Sequence, residues 1–165
     1  QEIAKRLEPF GCRIVAVRNG KNEMSQTNVE MIPTPEEAVS EADHVVIGLP
    51  LTEKTHHIVN DRLMKLMKPG AHLVNIARGD IVDQEALFEN LESGQISRAS
   101  LDVVTPEPLP EGHWLYTHPR VKLSAHISWA SPDFLDQLHD LFSSNLKKWL
   151  SGLPLDGLVD IKKGY

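Results

Sequence analysis

At 165 residues, with 41% hydrophobic and 24% charged side chains, the chain fits one soluble globular domain with a real core and does not have the composition of a disordered segment. Its 17 basic and 23 acidic residues leave a formal net charge of -6, which argues against a general nucleic-acid surface and leaves room only for a local basic pocket. The longest apolar runs, such as HVVIGLPL, are too short to cross a bilayer and the start does not resemble a signal peptide, so a cytoplasmic protein with no membrane partner is expected.

A single cysteine, Cys12, excludes an internal disulfide framework. Lying between a glycine and a strand, it is expected to be buried and inert. EIAKRLEPFG has helical spacing, with Ile3, Leu7 and Phe10 on one side and Gly11 as a stop. RIVAV is a short buried strand, RNGKNEMSQTN a polar loop and VEMI a brief strand. TPEEAVSEA opens with a helix-start signature: Thr34 as cap, Pro35 in the first turn and Glu37 three residues on.

HVVIGL is the next strand, and DRLMKLMKPG a helix closed by Pro69 and Gly70. HLVNIA is a further buried strand, DQEALFENLESG a helix capped by Asp83, and RASLDVV the strand after it. TPEPLPEGHWLYTHPR holds four prolines and reads as a loop. VKLSA is a last strand. SPDFLDQLHDLFSSNLKKWLSG is a long amphipathic helix whose Leu135, Leu138, Phe142 and Leu146 are expected to pack into the core. Strands alternating with helices at this rhythm predict an α/β domain, a doubly wound parallel sheet covered on both faces.

Such a dinucleotide-binding unit needs a strand, a glycine turn and a helix whose amino end faces a pyrophosphate. QEIAKRLEPFGCRIVAV resembles the second half of that unit, and no G-x-G-x-x-G occurs in the 165 residues. The expectation is therefore a Rossmann-like NAD(P)-binding domain, incomplete at its amino end. Residues 1–150 would form the partial nucleotide-binding domain, and 151–165 a tail returning toward a substrate domain outside the sequence.

The run AHLVNIARGD ends its apolar stretch at a permanently charged guanidinium, Arg78. Open α/β sheets bind ligands just beyond the carboxyl ends of their strands, which suggests anion recognition there. The segments EADHVVIGLPLTEKTHHIVN, LMKPGAHLVNIARGDIVDQEALFENLESGQI, SLDVVTPEPLP and AHIS, in this order and spacing, resemble the D-isomer-specific 2-hydroxyacid dehydrogenases over nearly the whole chain. The resemblance implies hydride transfer between a nicotinamide and a small 2-keto or 2-hydroxy acid such as glyoxylate or hydroxypyruvate, and a homodimer. An alternative implication is a dehydrogenase-like corepressor or NAD(H)-sensing module, since the same fold serves both.

By that resemblance the catalytic set is Arg78, Glu107 and His126. Each choice makes chemical sense. Arginine offers a planar fork of donors that suits a carboxylate. Histidine titrates near neutrality and exchanges a proton with the forming alkoxide, and a glutamate favours and orients the imidazolium. The usual Thr-Pro before the histidine is replaced by Ser124 and Ala125, and Trp129 follows it, either narrowing the pocket or simply packing.

Cofactor-facing positions implied in the same way are Leu49, Pro50, Thr55, Ile76, Ala77, Arg78, Asp102, His126 and Ser128. Asp102 would accept from a nicotinamide carboxamide. Where a ribose-binding acid is usual after the second strand, this chain has Arg18 and then Lys21. Cations there would receive a 2′-phosphate, so NADP is favoured over NAD. No metal is expected: His56 and His57 have no third ligand at a convincing spacing. His113 and His118 are expected near the mouth of the site without acting as ligands. With no pyrophosphate cradle and no opposing domain, the 165 residues alone are expected to show no measurable activity.

Overall fold

The computed structural model describes residues 2–18 and 28–161. In chain order these form α1 (Glu2–Leu7), β1 (Ile14–Ala16), β2 (Val29–Met31), α2 (Pro35–Glu41), β3 (His44–Ile47), α3 (Asp61–Leu66), β4 (Ala71–Asn75), α4 (Gln84–Glu92), β5 (Ile96–Leu101), β6 (Val121–Leu123) and α5 (Phe134–Leu150). Every strand pair is parallel. The strands fall into two sheets, β1-β2 and β3-β4-β5-β6.

Local chemistry explains the punctuation. Thr34 Oγ1 accepts from the Glu37 amide at 3.3 Å, with Pro35 in the first turn of α2. Asn60 Oδ1 caps α3 by accepting from Leu63 N at 3.1 Å, and Asp83 Oδ1 caps α4 through Glu85 N and Ala86 N. Each such cap is worth about 1 kcal/mol against alanine. Gly11 takes the left-handed conformation, φ 64°, that closes the first helical segment.

The core lies between the four-stranded sheet and α2, α3 and α4. Leu73 of β4, Leu87 and Leu91 of α4, Ile96 of β5 and Ile81 after β4 are all fully buried. Full burial of a side chain of this size contributes about 1.5–3 kcal/mol. No helix among the described residues is long and apolar enough to cross a membrane.

Three expectations need correction. First, among the described residues β4 is not buried on both faces. β4 alternates between buried and half-buried residues rather than being buried throughout. In register, the other face carries His44 and Val46, His72 and Val74, Arg98 and Ser100, and Lys122. His44 Nδ1 and His72 Nδ1 share a hydrogen bond of 3.1 Å, and His72 Nε2 meets Ser100 Oγ at 3.0 Å. Partial burial, with the Arg98 charge and then His44, pushes the His72 imidazole below its ordinary value.

Second, α5 does not pack its apolar stripe: it contains no buried residue, and Leu135 and Phe142 are 72% and 65% exposed. Residues 151–161 instead turn back on it, with Asp156 bonded to Asn145 and Lys148. Third, Cys12 is exposed. It precedes a strand whose sheet has two members among the described residues, and too little of that structure surrounds it to exclude water.

Candidate active site

The carboxyl ends of β4 and β5 are tied together by Asp102 N donating to Asn75 O at 2.9 Å. Asn75, 1% exposed, then shapes the turn that follows: its Oδ1 accepts from Ala77 N at 3.0 Å and its Nδ2 donates to Arg78 O at 2.9 Å. A buried amide satisfied in this way fixes the backbone beneath the guanidinium. Arg78 is exposed at the mouth, with Nη1 donating to Ala77 O at 2.6 Å.

Gly79 makes the next contact possible. A Cβ there would lie 2.2 Å from the Val104 carbonyl carbon and oxygen and 2.4 Å from Thr105 Oγ1. Only glycine lets this turn approach the chain after β5 so closely. Gln84 secures the same segment, accepting from Thr105 N at 3.0 Å and donating to Thr105 O.

Glu107 faces the turn from that segment. Its Oε1 accepts from Val104 N at 2.9 Å, and its Oε2 meets His126 Nδ1 at 2.8 Å. Burial pushes its carboxyl up, but the Val104 N–H, the His126 ring and the nearby Arg78 charge outweigh it and hold it below its ordinary value. An ionised carboxylate only accepts, so His126 carries its proton on Nδ1, and Nε2 has no protein partner among the described residues.

The loop bearing His126 wraps around Asp102, which is 6% exposed. Asp102 Oδ1 accepts from Ser124 Oγ at 2.5 Å and Ile127 N at 3.1 Å, and Oδ2 from Ser128 N at 2.9 Å. Burial raises this carboxyl, yet the hydrogen bonds from Ser124, Ser128 and Ile127 hold it at about 2. His126 itself sits at φ 55°, where a non-glycine residue costs about 1–3 kcal/mol unless its surroundings fix it. Trp129 helps fix it: the indole Nε1 donates to His126 O at 2.8 Å, and the ring packs on Phe134.

Arg78, Glu107 and His126 thus line one cleft of about 300 Å³, together with Leu51, Asp80 and Val104. A larger groove, about 440 Å³, runs along α5 and the following turn, away from these groups. Among the expected cofactor positions, Leu49 and Pro50 follow β3, and Ile76 and Ala77 follow β4, on the same side of the sheet as the cleft. Ser128 contributes its amide to Asp102.

Two of these positions also serve the local structure. Thr55 spends its hydroxyl inside its own loop, donating to Pro50 O at 2.7 Å and accepting from Thr52 N at 2.8 Å. Asp102 already uses three of the four acceptor positions of a carboxylate on the His126 loop. Arg18 is exposed just past β1, and Lys21 lies outside the described residues.

His113 and His118 do not line the cleft. His113 Nδ1 accepts from Leu115 N, while His118 packs on Phe88 and Trp114 and meets Glu92 at 3.2 Å, at the amino end of β6. Sequence reading passed over Asn75, Gly79 and Gln84; a polar side chain inside an apolar strand was the one available signal, at Asn75.

A parallel sheet with a guanidinium and an imidazole–carboxylate pair beyond its carboxyl ends has the arrangement of an α/β nucleotide-binding domain. Residues 1–128 match the model of the D-isomer specific 2-hydroxyacid dehydrogenase, NAD binding domain. The chain belongs to this family.

Among its relatives, glyoxylate reductase of Thermococcus gammatolerans is 37% identical over 153 residues, covering 92% of this chain and 46% of that protein. Human glyoxylate reductase/hydroxypyruvate reductase is 36% identical over 158 residues, 94% of this chain and 48% of that one. Among solved structures, an NADPH-dependent glyoxylate/hydroxypyruvate reductase from Sinorhizobium meliloti in complex with NADP and sulfate superposes with a TM-score of 0.91 at 28% identity, covering all of this chain (100%) and 53% of that one. A D-isomer specific 2-hydroxyacid dehydrogenase from Xanthobacter autotrophicus Py2 in complex with NADPH and MES gives 0.90 at 27% identity, covering 98% and 66%. The chain spans about half the length of the curated relatives it matches.

Proposed function

We propose that this chain is the nucleotide-binding half of an NAD(P)-dependent reductase that interconverts a small 2-keto acid, glyoxylate or hydroxypyruvate, with its 2-hydroxy acid. The observation that carries this reading is the 2.8 Å Glu107–His126 pair in the same cleft as the Arg78 guanidinium. The donor set fits the nicotinamide end of the cofactor: an anion receptor and a proton donor share a cleft of the size small ligands use. No pyrophosphate cradle stands among these residues. When bound, the reduced nicotinamide supplies the hydride.

The chain's own residues supply the rest. Arg78 holds the keto-acid carboxylate as a forked donor. His126 gives its Nε2 proton to the carbonyl oxygen as that oxygen gains charge, and takes one back in the reverse direction. Glu107 stabilises the imidazolium and keeps the ring turned so that Nε2 is the atom that exchanges. Asp102, Ser124 and Trp129 hold the His126 backbone, and Leu49, Pro50, Thr55, Ile76, Ala77 and Ser128 form the surroundings of the nicotinamide.

NADPH is the preferred cofactor in this reading, because Arg18 stands where a carboxylate would repel a 2′-phosphate. The NADP(H)-bound relatives support that preference. The reductase is read as a cytoplasmic homodimer, by analogy with the family.

Assaying NADPH oxidation with glyoxylate and hydroxypyruvate tests the proposal. The longer protein containing this chain should turn over, and the 165 residues alone should not. A kcat/KM at least about tenfold higher with NADH, which is 1.4 kcal/mol of discrimination, would overturn the cofactor preference. Absence of turnover with any small 2-keto acid would overturn the reaction. The interaction-module alternative has no observation in its favour.

A further inference from the structure

His56 and His57 lack a third ligand by sequence spacing, but the fold supplies one. The turn after β4 brings Asp80 to them, and one ligand atom from each of the three residues lies within 4.8 Å of the other two. The two segments are laced together rather than merely adjacent. His57 N donates to Asp80 O at 2.8 Å, Val59 N to Ile81 O at 3.1 Å, and Asp83 N to Val59 O at 3.1 Å, with Val59 and Val82 forming a parallel bridge.

This lacing holds His57 at φ 49°, and its ring stacks on His56 with centroids 4.1 Å apart. The Asp80 carboxylate makes no hydrogen bond or ion pair among the described residues, and neither imidazole donates or accepts there. The backbone bonds that form when the chain folds thus bring three uncommitted ligand groups within reach of one ion.

We propose that His56, His57 and Asp80 bind one borderline divalent transition-metal ion of the Zn²⁺ class. Two imidazoles and one carboxylate are a zinc donor set, whereas Ca²⁺ and Mg²⁺ prefer oxygen ligands throughout. Three protein ligands leave a coordination position open to water or an anion. Asp80 also lines the cleft that holds Arg78 and His126, so the ion sits at its rim. The site needs only the folded chain and does not depend on the dehydrogenase reading.

Titration of the untagged chain with Zn²⁺ in a calorimeter at neutral pH is expected to give one ion per chain. His56→Gln, His57→Asn and Asp80→Asn should each weaken binding by about tenfold or more, since even outer-shell partners of a metal site are worth that much. Asparagine is chosen at position 57 because it tolerates the left-handed backbone. With Cu²⁺ as a second probe, paramagnetic resonance should show coupling to two imidazole nitrogens, falling to one in His56→Gln.

Circular dichroism of each variant checks that the fold persists. Failure of the unsubstituted chain to bind Zn²⁺ or Cu²⁺ overturns the proposal. So does undiminished binding by a folded His56→Gln/His57→Asn double variant, which would put the ion on other side chains.

Discussion

In α4, Leu87 and Leu91 are fully buried against α3 and β5, whereas in α5 Leu135, Leu138, Phe142 and Leu146 recur with the same helical period and stay open to solvent. The sheets repeat the contrast. Four strands in register carry the core, while β1 and β2 form a pair without further neighbours among the described residues. Helical periodicity tells which face is apolar; what covers that face depends on elements elsewhere in the chain. The candidate site grows entirely from the supported side, where Asn75, Gly79 and Asp102 can hold a turn, a close approach and a loop.

The largest difference between the two regions should appear in the helices. Leu87→Ala is expected to cost about 2–5 kcal/mol in urea unfolding, because it empties a closed site. Asp102→Asn should cost about 1–3 kcal/mol by setting an amide N–H₂ against the donors that now converge on the carboxylate. Acid should mimic it. The folded carboxyl is held at about 2, below its ordinary value, so its stabilisation is complete above the ordinary Asp range. It is lost as pH falls from about 4 toward 2, on the order of 2 kcal/mol in all. A urea midpoint that falls less steeply across that range in Asp102→Asn than in the unsubstituted chain is the expected pattern, since Glu107 and other lowered carboxylates contribute to the fall in both. Leu138→Ala should change stability by no more than about 0.5 kcal/mol. A cost matching that of Leu87→Ala would mean that α5 is packed in solution.

Much of this was legible in the sequence for local reasons. Thr34, Asp83 and Gly11 act within a few residues of themselves, so their capping could be read directly. Arg78, Glu107 and His126 were legible only through an ordered set of motifs, since nothing local brings Glu107 to His126. The residues that build the site around them were harder to see. Gly79 matters because Val104 crosses above it, and Asp102 because a later loop folds onto its oxygens. The same holds for Asp80 and the two histidines: their juxtaposition is made by the backbone bonds between two segments. Exposure of Cys12 and α5 was misread because burial was inferred from pattern without knowing the partner.

The meeting of Arg78, Glu107 and His126 around a keto acid is tested most directly by His126→Ala in the full reductase, with substrate and NADPH saturating. The proton-donor role predicts a fall in kcat of about 10²-fold or more in a folded protein that still binds cofactor. Turnover at the unsubstituted rate would remove His126 from the chemistry, and with it the reading of this cleft as a reductase site.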